Sequence, residues 1–232
     1  MPNQHGAWAM LASPLLVGIL AGGWAWVHVP LAAFWFLGYF AFFATSLWLK
    51  ARRRERWFPP VRAYGLASLA LGLIVAAMRP DLLIWAPLFV VPLGVGLWAA
   101  AHRHDRDLLA GLTTVAGSSL MTVVAYDAGT SGDLTRGWLL AAVQAAYFAG
   151  TVFYVKSAIR ERDNRGFLAL SVGFHVLVAV AMALLSWWLV AVFAVLAVRS
   201  AVVPALRPTP KTLGLGEIVA TVVVGVVSLL TV

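Results

Sequence analysis

The chain has 232 residues, of which 62% are apolar and only 11% charged, with a formal net charge of +8 and no cysteine. A soluble domain carries about 25% charged residues, so this composition excludes a soluble globular enzyme and a disordered chain alike. The absent cysteines exclude disulfides, thiolate metal sites and a cysteine nucleophile. In a soluble protein such positive charge would suggest nucleic acid; here it follows membrane topology, and no nucleic-acid partner is expected.

A crossing needs about 20 apolar residues, and the apolar runs predict spans over 7–28, 31–49, 63–79, 82–101, 109–126, 137–156, 167–184, 186–203 and 214–232. The expected fold is therefore all-α: a polytopic transmembrane helical bundle of about nine spans, with residues 1–232 forming a single domain. No Lys or Arg precedes the first apolar run, a poor start for a cleaved signal peptide, so the first span is read as retained. Three times a span runs into a charged segment and returns, over 31–79, 82–126 and 137–184, a repetition of architecture rather than of sequence.

The charges orient these spans. Lys50, Arg52, Arg53, Arg54, Arg56 and Arg62 surround the connection between spans two and three, and Arg103 and Arg106 follow span four. Lys156, Arg160, Arg162 and Arg165 follow span six, and Arg199, Arg207 and Lys211 surround the connection between spans eight and nine. Of the 17 Lys and Arg residues only Arg79 and Arg136 fall on the other side. The positive-inside rule then makes the basic side cytoplasmic, with the amino terminus inside and the carboxyl terminus outside a bacterial plasma membrane. The opposite connections, such as Arg79-Pro80-Asp81 and Gly129-Thr130-Ser131-Gly132-Asp133, are built from turn-forming residues, and Trp24, Trp26, Trp85 and Trp138 stand near them as interfacial aromatics do.

Three charged constellations carry candidate chemistry. In Lys50-Ala51-Arg52-Arg53-Arg54-Glu55-Arg56 a continued helix would set Arg52 and Arg56 on one face, and Lys50 and Arg54 on another. Guanidinium groups there would meet phosphate oxygens with paired hydrogen bonds; the same residues also serve as an orientation signal that attracts anionic lipid heads. In His102-Arg103-His104-Asp105-Arg106-Asp107, helical continuation would bring His102 beside Asp105 and His104 beside Asp107. Imidazole with carboxylate suits a transition metal, but the interleaved arginines compete as internal cations, and the segment reads as an ion-paired helix end; no metal is expected. In the third, Lys156 and Arg160 share a helical face near Tyr154, and Glu161 and Asp163 are expected to pair with neighbouring arginines. Inside the membrane the expensive groups are His175 in span seven, Gln144 in span six and Glu217 in span nine, and such groups face a bundle interior or a cavity.

The opening Pro2-Asn3-Gln4-His5-Gly6-Ala7-Trp8, followed by Ser13-Pro14-Leu15-Leu16-Val17-Gly18, resembles the YwiC-like family of bacterial integral membrane proteins, a resemblance that implies little chemistry. More distantly, nine spans with charged segments after spans two, four and six resemble the UbiA-type prenyltransferase superfamily, whose first span is similar in carrying Ser-Pro-x-Leu-x-Gly. That resemblance implies a bundle that binds an isoprenoid-type or other amphipathic lipid, with segments 52–56, 102–107 and 156–163 ringing one cytoplasmic opening and His5 nearby; the candidate ligand-binding residues are His5, Arg52, Arg53, Arg56, His102, His104, Asp105, Asp107, Tyr154, Lys156, Arg160 and, within span seven, His175. It also implies magnesium held by aspartate-rich motifs after spans two and six. The residues at those places are arginine-rich instead, so the expected anion is held by Arg and Lys without a metal. Two other classes fit the same sequence: a small-molecule or ion transporter, and an accessory subunit of a membrane complex that packs through Gly65, Ala67, Ser68 and Gly72.

Overall fold

The computed structural model describes residues 5–129 and 132–232, with the side chains of residues 5–7 outside the described set. The turn residues Thr130 and Ser131, and the Pro2-Asn3-Gln4 part of the opening motif, therefore lie outside the described residues.

In lipid every backbone donor and acceptor must be satisfied within its own segment, and the helix does this for an apolar run. The described residues form nine long helices: α1 His5–Gly22, α2 His28–Lys50, α3 Phe58–Met78, α4 Ala86–Ala101, α5 Leu108–Gly129, α6 Thr135–Ile159, α7 Arg165–Ala181, α8 Trp187–Val202 and α9 Pro210–Thr231. Short 3-10 turns over Glu55–Trp57, Pro80–Trp85, Met182–Leu184 and Val203–Leu206 join some of them. Eight of these segments are long and apolar enough to cross a membrane, and Trp8–Gly22 forms a shorter apolar helix.

Local chemistry sets the boundaries. The side chains of Asn164, Ser186 and Thr209 accept backbone N–H groups at the starts of α7, α8 and α9, as capping residues do. Pro59 and Pro60 occupy the first turn of α3, where a missing N–H costs nothing; the helix therefore starts at Phe58, five residues before the expected 63. The first span does not run to 28. It stops at Gly22, because Gly23 takes a φ of +85° and turns the chain, and α2 begins at His28. On the basic side arginine takes the place of glycine: Arg52, Arg53, Arg103 and Arg207 all adopt left-handed φ values just beyond α2, α4 and the turn after α8.

Helices α1, α5 and α6 form the centre. On one side stand α2, α3 and α4, and on the other α7, α8 and α9, with α9 also lying on α1 and α6. Over half of α5 is buried but only 11% of α3, whose helical neighbour is α2. Ser68 and Gly72 of α3 face Gly38 and Phe34 of α2, whereas Gly65 faces open space, so half of the expected small-residue face is used inside the bundle.

The closest packing joins α1 to α5. These helices run in the same direction, and Gly18 and Gly22 lie directly on the α5 backbone: a methyl group at either would collide with the carbonyl oxygen of Thr122 or Tyr126. Gly129 makes the reciprocal approach to the Gly22 and Gly23 carbonyls, and Ser118 Oγ donates to the Met10 carbonyl. Small residues four apart permit this approach, and dispersion then supplies the attraction that the hydrophobic effect cannot supply in lipid.

The side opposite the basic end is tied by side chains that cap α5. His28, which is buried, accepts the Ala25 N–H at Nδ1 (2.9 Å) and is thereby set to donate from Nε2 to the Ala125 carbonyl (2.8 Å). Arg79 holds Asp81 (2.6 Å) and donates to the Ala128 and Asp127 carbonyls (2.8 and 3.1 Å). Trp85 donates to the Asp127 carboxylate (2.8 Å) and meets Trp138 edge to face. Arg136 donates to the Leu229 carbonyl near the end of α9. Both basic residues that depart from the charge asymmetry thus sit at helix C-termini, where the helix dipole favours a cation.

We expect Gly18→Val and Gly22→Val each to lower stability by about 1–3 kcal/mol through overpacking, read as thermal unfolding in detergent. Gly65→Ala, which meets nothing within 4 Å, should leave the unfolding temperature unchanged or slightly raised.

Candidate functional site

The basic end draws four connections together. Lys50, the last residue of α2, pairs with Asp105 across 2.9 Å. Arg160, just past α6, donates to the Arg106 carbonyl at 3.1 Å. Arg207, before α9, approaches Asp163 at 3.9 Å. Lys50, Arg103, Asp105 and Arg106 line an open hollow of about 360 Å³, and Arg103 and Arg106 are exposed with no carboxylate partner among the described residues. Burial works to raise the Asp105 pKa, but the hydrogen bond and charge of Lys50, with Arg106 nearby, hold it below the ordinary carboxylate value.

Several expected pairings change. Arg52 and Arg56 share no helical face, because α2 ends at Lys50, Arg52 and Arg53 turn left-handed and Arg54 is extended. The same break separates Lys50 from Arg54. Arg53 lies over Trp48 and Arg56 over Trp57, and Arg53 lines a second open hollow with Glu55 and Arg62 but without Arg56. His102 is not beside Asp105: α4 stops at Ala101, so His102 bonds the Trp98 carbonyl while Asp105 turns to Lys50. His104 does meet Asp107, at 2.9 Å. Among the described residues no three His, Asp or Glu side chains gather as metal ligands. Lys156 and Arg160 keep one helical face, the Arg160 N–H bonding the Lys156 carbonyl at 2.9 Å, but their side chains diverge, Lys156 over the Phe167 ring and Arg160 toward Arg106. Glu161 accepts from Asn164 rather than from an arginine. The connections after α2, α4 and α6 are also shorter than the UbiA resemblance implies, since helix and 3-10 turn occupy all but residues 51–54, 102–107 and 160–164. The His5 side chain lies outside the described residues.

A second group of charges lies inside the bundle, where α6, α8 and α9 meet. Arg199 Nη1 is 2.8 Å from Glu217 Oε1, with side-chain exposures of 18% and 4%. Seven residues into α9, Glu217 stands about 10 Å from that helix's start at 1.5 Å per residue. Thr151 donates to Glu217 Oε2 (2.7 Å), and Tyr147 Oη lies 3.0 Å from the same oxygen. Thr221 donates to the Glu217 carbonyl one turn back (2.7 Å). The Tyr154 ring lies 4.3 Å beneath the Arg199 guanidinium, so Tyr154 faces inward, buried, and is not a mouth residue. The contact between Arg199 and Glu217 is close but not aligned as a hydrogen bond, and Arg199 Nε is buried with no hydrogen-bond partner among the described residues. Deeper in the bundle Ser13 donates to Gln144 (3.0 Å). His175 holds the Ser171 carbonyl through Nδ1 (2.7 Å) and packs its other nitrogen against Gly150.

Sequence reading placed Arg199 among the connecting charges and Glu217 alone near a helix start. The available signal was spacing: Glu217, Thr221, Gly225 and Ser228 recur along one face of α9, and Gln144, Tyr147, Thr151 and Tyr154 along one face of α6.

The family model described as YwiC-like protein matches residues 1–126, more than half of the chain. An uncharacterized protein named YwiC from Bacillus subtilis is 34% identical over 181 residues, covering 76% of this chain and 74% of its own. The chain belongs to the YwiC-like family. An uncharacterized protein of Haemophilus influenzae is 25% identical over 225 residues, 95% of this chain and 93% of its own. No solved structure matches it. The segment matched by the YwiC-like model contains the Gly18 and Gly22 contact with α5, whereas Arg199 and Glu217 lie beyond it.

Removing one member of a buried ion pair strands the other. Arg199→Met should lower stability by about 3–5 kcal/mol, and the double change Arg199→Met/Glu217→Gln should recover most of that loss, both measured by unfolding in detergent.

Proposed function

We propose that this YwiC-like protein is a multi-pass protein of the bacterial plasma membrane that holds the anionic head of an isoprenoid-type or other amphipathic lipid at its basic, cytoplasmic end. The observation that carries this reading is the joining of Lys50 to Asp105 and of Arg160 to the Arg106 carbonyl. Together they join three connections at the basic end, and the end of α2 and the connection after α4 line a hollow in which Arg103 and Arg106 have no carboxylate partner among the described residues. The one acid there is already engaged by Lys50, so an incoming phosphate or carboxylate meets uncompensated guanidinium donors. Trp98, exposed near the end of α4 and in ring contact with His102 and His104, offers the kind of interfacial aromatic against which the upper part of an acyl or isoprenoid chain lies. No group-transfer step is part of the proposal.

Two experiments test it. Reporter fusions after Arg56, His104 and Arg162 should all read cytoplasmic, with the carboxyl terminus outside; an outside signal at any of the three overturns the orientation. With farnesyl diphosphate as probe at fixed ionic strength, Arg103→Ala/Arg106→Ala should weaken binding about tenfold or more, because two charge-assisted hydrogen bonds are lost. Arg52→Ala/Arg56→Ala should change it less than threefold, and EDTA should leave it unaltered. Equal loss from both double variants would reduce the basic end to a diffuse orientation signal.

A further inference from the structure

The ion pair inside the bundle lies apart from that hollow and supports a separate assignment. We propose that Arg199 is the receptor for a small monovalent anion within the membrane, and that the anion enters together with a proton taken up by Glu217.

Arg199 is incompletely used as it stands. Its Nε is buried with no hydrogen-bond partner among the described residues, and its Nη1 meets Glu217 off the hydrogen-bond axis. The Tyr154 ring lies 4.3 Å under the guanidinium carbon as a cation–π contact, a hold on the cation that does not involve the carboxylate. Glu217 for its part does not depend on Arg199 alone. Its Oε2 takes hydroxyl donation from Thr151 and Tyr147, and a neutral carboxylic acid keeps those bonds through its carbonyl oxygen. The proton would go to Oε1, the oxygen facing Arg199, and turn an acceptor into a donor. The anion then receives hydrogen bonds from Arg199 and from the Glu217 O–H.

Charge balance couples the two events. The pair as it stands is neutral. An anion alone would leave the buried cluster at one net negative charge and a proton alone at one net positive, and either state is costly away from water. Proton and anion together restore neutrality. The other titratable groups packed around the pair are Tyr147 and Tyr154 of α6 and His175 of α7, which lies within electrostatic range of both Arg199 and Glu217. Lys211 stands near the start of α9 itself, and the described side chains of α1 carry no charge. None of these supplies a second acid to the cluster.

The test uses the full chain in detergent with methanesulfonate, which stays ionised across the range, titrated calorimetrically from pH 5 to 8 in two buffers of different ionisation enthalpy. The expected result is about one proton taken up per anion, with affinity falling by up to about tenfold per pH unit as pH rises. Glu217→Gln should bind without pH dependence. Arg199→Met/Glu217→Gln, which keeps the site neutral, should lose the proton-coupled component of binding. His175→Gln should retain the proton coupling, and so should Arg103→Ala/Arg106→Ala, whatever anion the basic hollow itself takes. No binding at pH 5, no proton uptake, a pH dependence that survives in Glu217→Gln, or proton coupling lost with Arg103 and Arg106 each overturns the assignment. Where the Glu217 variants fail to fold, the proton count of the native chain decides.

Discussion

The contact between α1 and α5 is the constraint on which the rest of the bundle depends. Two glycines on α1 and one on α5 remove the side chains that would hold the backbones apart, and carbonyl oxygens take their place at the seam. With α1 pressed against α5, the turn at Gly23 brings His28 to the Ala125 carbonyl, and α2 carries α3 and α4 to that side. The other flank of α1 receives α9 and α6. Both lobes are thus referred to one helix pair, and the short connections between elements leave little freedom to arrange them otherwise.

The two ends of the bundle are built differently. At the end opposite the basic connections, charged and aromatic groups turn inward and serve helix termini: Arg79, Asp127, Trp85 and Arg136 all form bonds that close the ends of α5 and α9. At the basic end most arginines remain outward, and the connections are tied by a few contacts, among them Lys50 with Asp105 and Arg207 with Asp163. Rigidity is concentrated at one end and uncommitted charge at the other. The pair of Arg199 and Glu217 lies between them in depth, nearer the basic end, and shares the character of both: it binds α8 to α9 while leaving donors of Arg199 unused.

The fold was legible because lipid turns composition into architecture: an apolar run of sufficient length has few choices, and the expected spans and helices agree closely except at termini. The exceptions have physical causes. Arginine at left-handed φ carries no sequence mark of a helix stop, so the pairings of Arg52 with Arg56 and His102 with Asp105, which require α2 and α4 to continue, do not form. His104 with Asp107 was read correctly because that pairing needs only three residues of local chain. Arg199 was hidden for another reason. Near a helix end a cation reads equally well as a snorkelling anchor or as a buried partner, and only the register of α8 against α9 distinguishes the two. Tyr154 was misjudged likewise, since its place beneath Arg199 depends on α6 and α8 meeting.

The order in which the chain is made gives the α1–α5 seam a further consequence. As synthesis proceeds from the amino terminus, α1 emerges before its main partners α5, α6 and α9. Until then its glycine face has only lipid against it. The helix pair α2 and α3, adjacent in sequence and closely packed, can assemble at once and hold its place while the centre of the bundle is still missing. Maturation of this protein is therefore expected to be late and concerted. Helix α1 waits longest for its neighbours, and a chain arrested before α5 leaves the insertion machinery with its most closely packed surface still open to the bilayer.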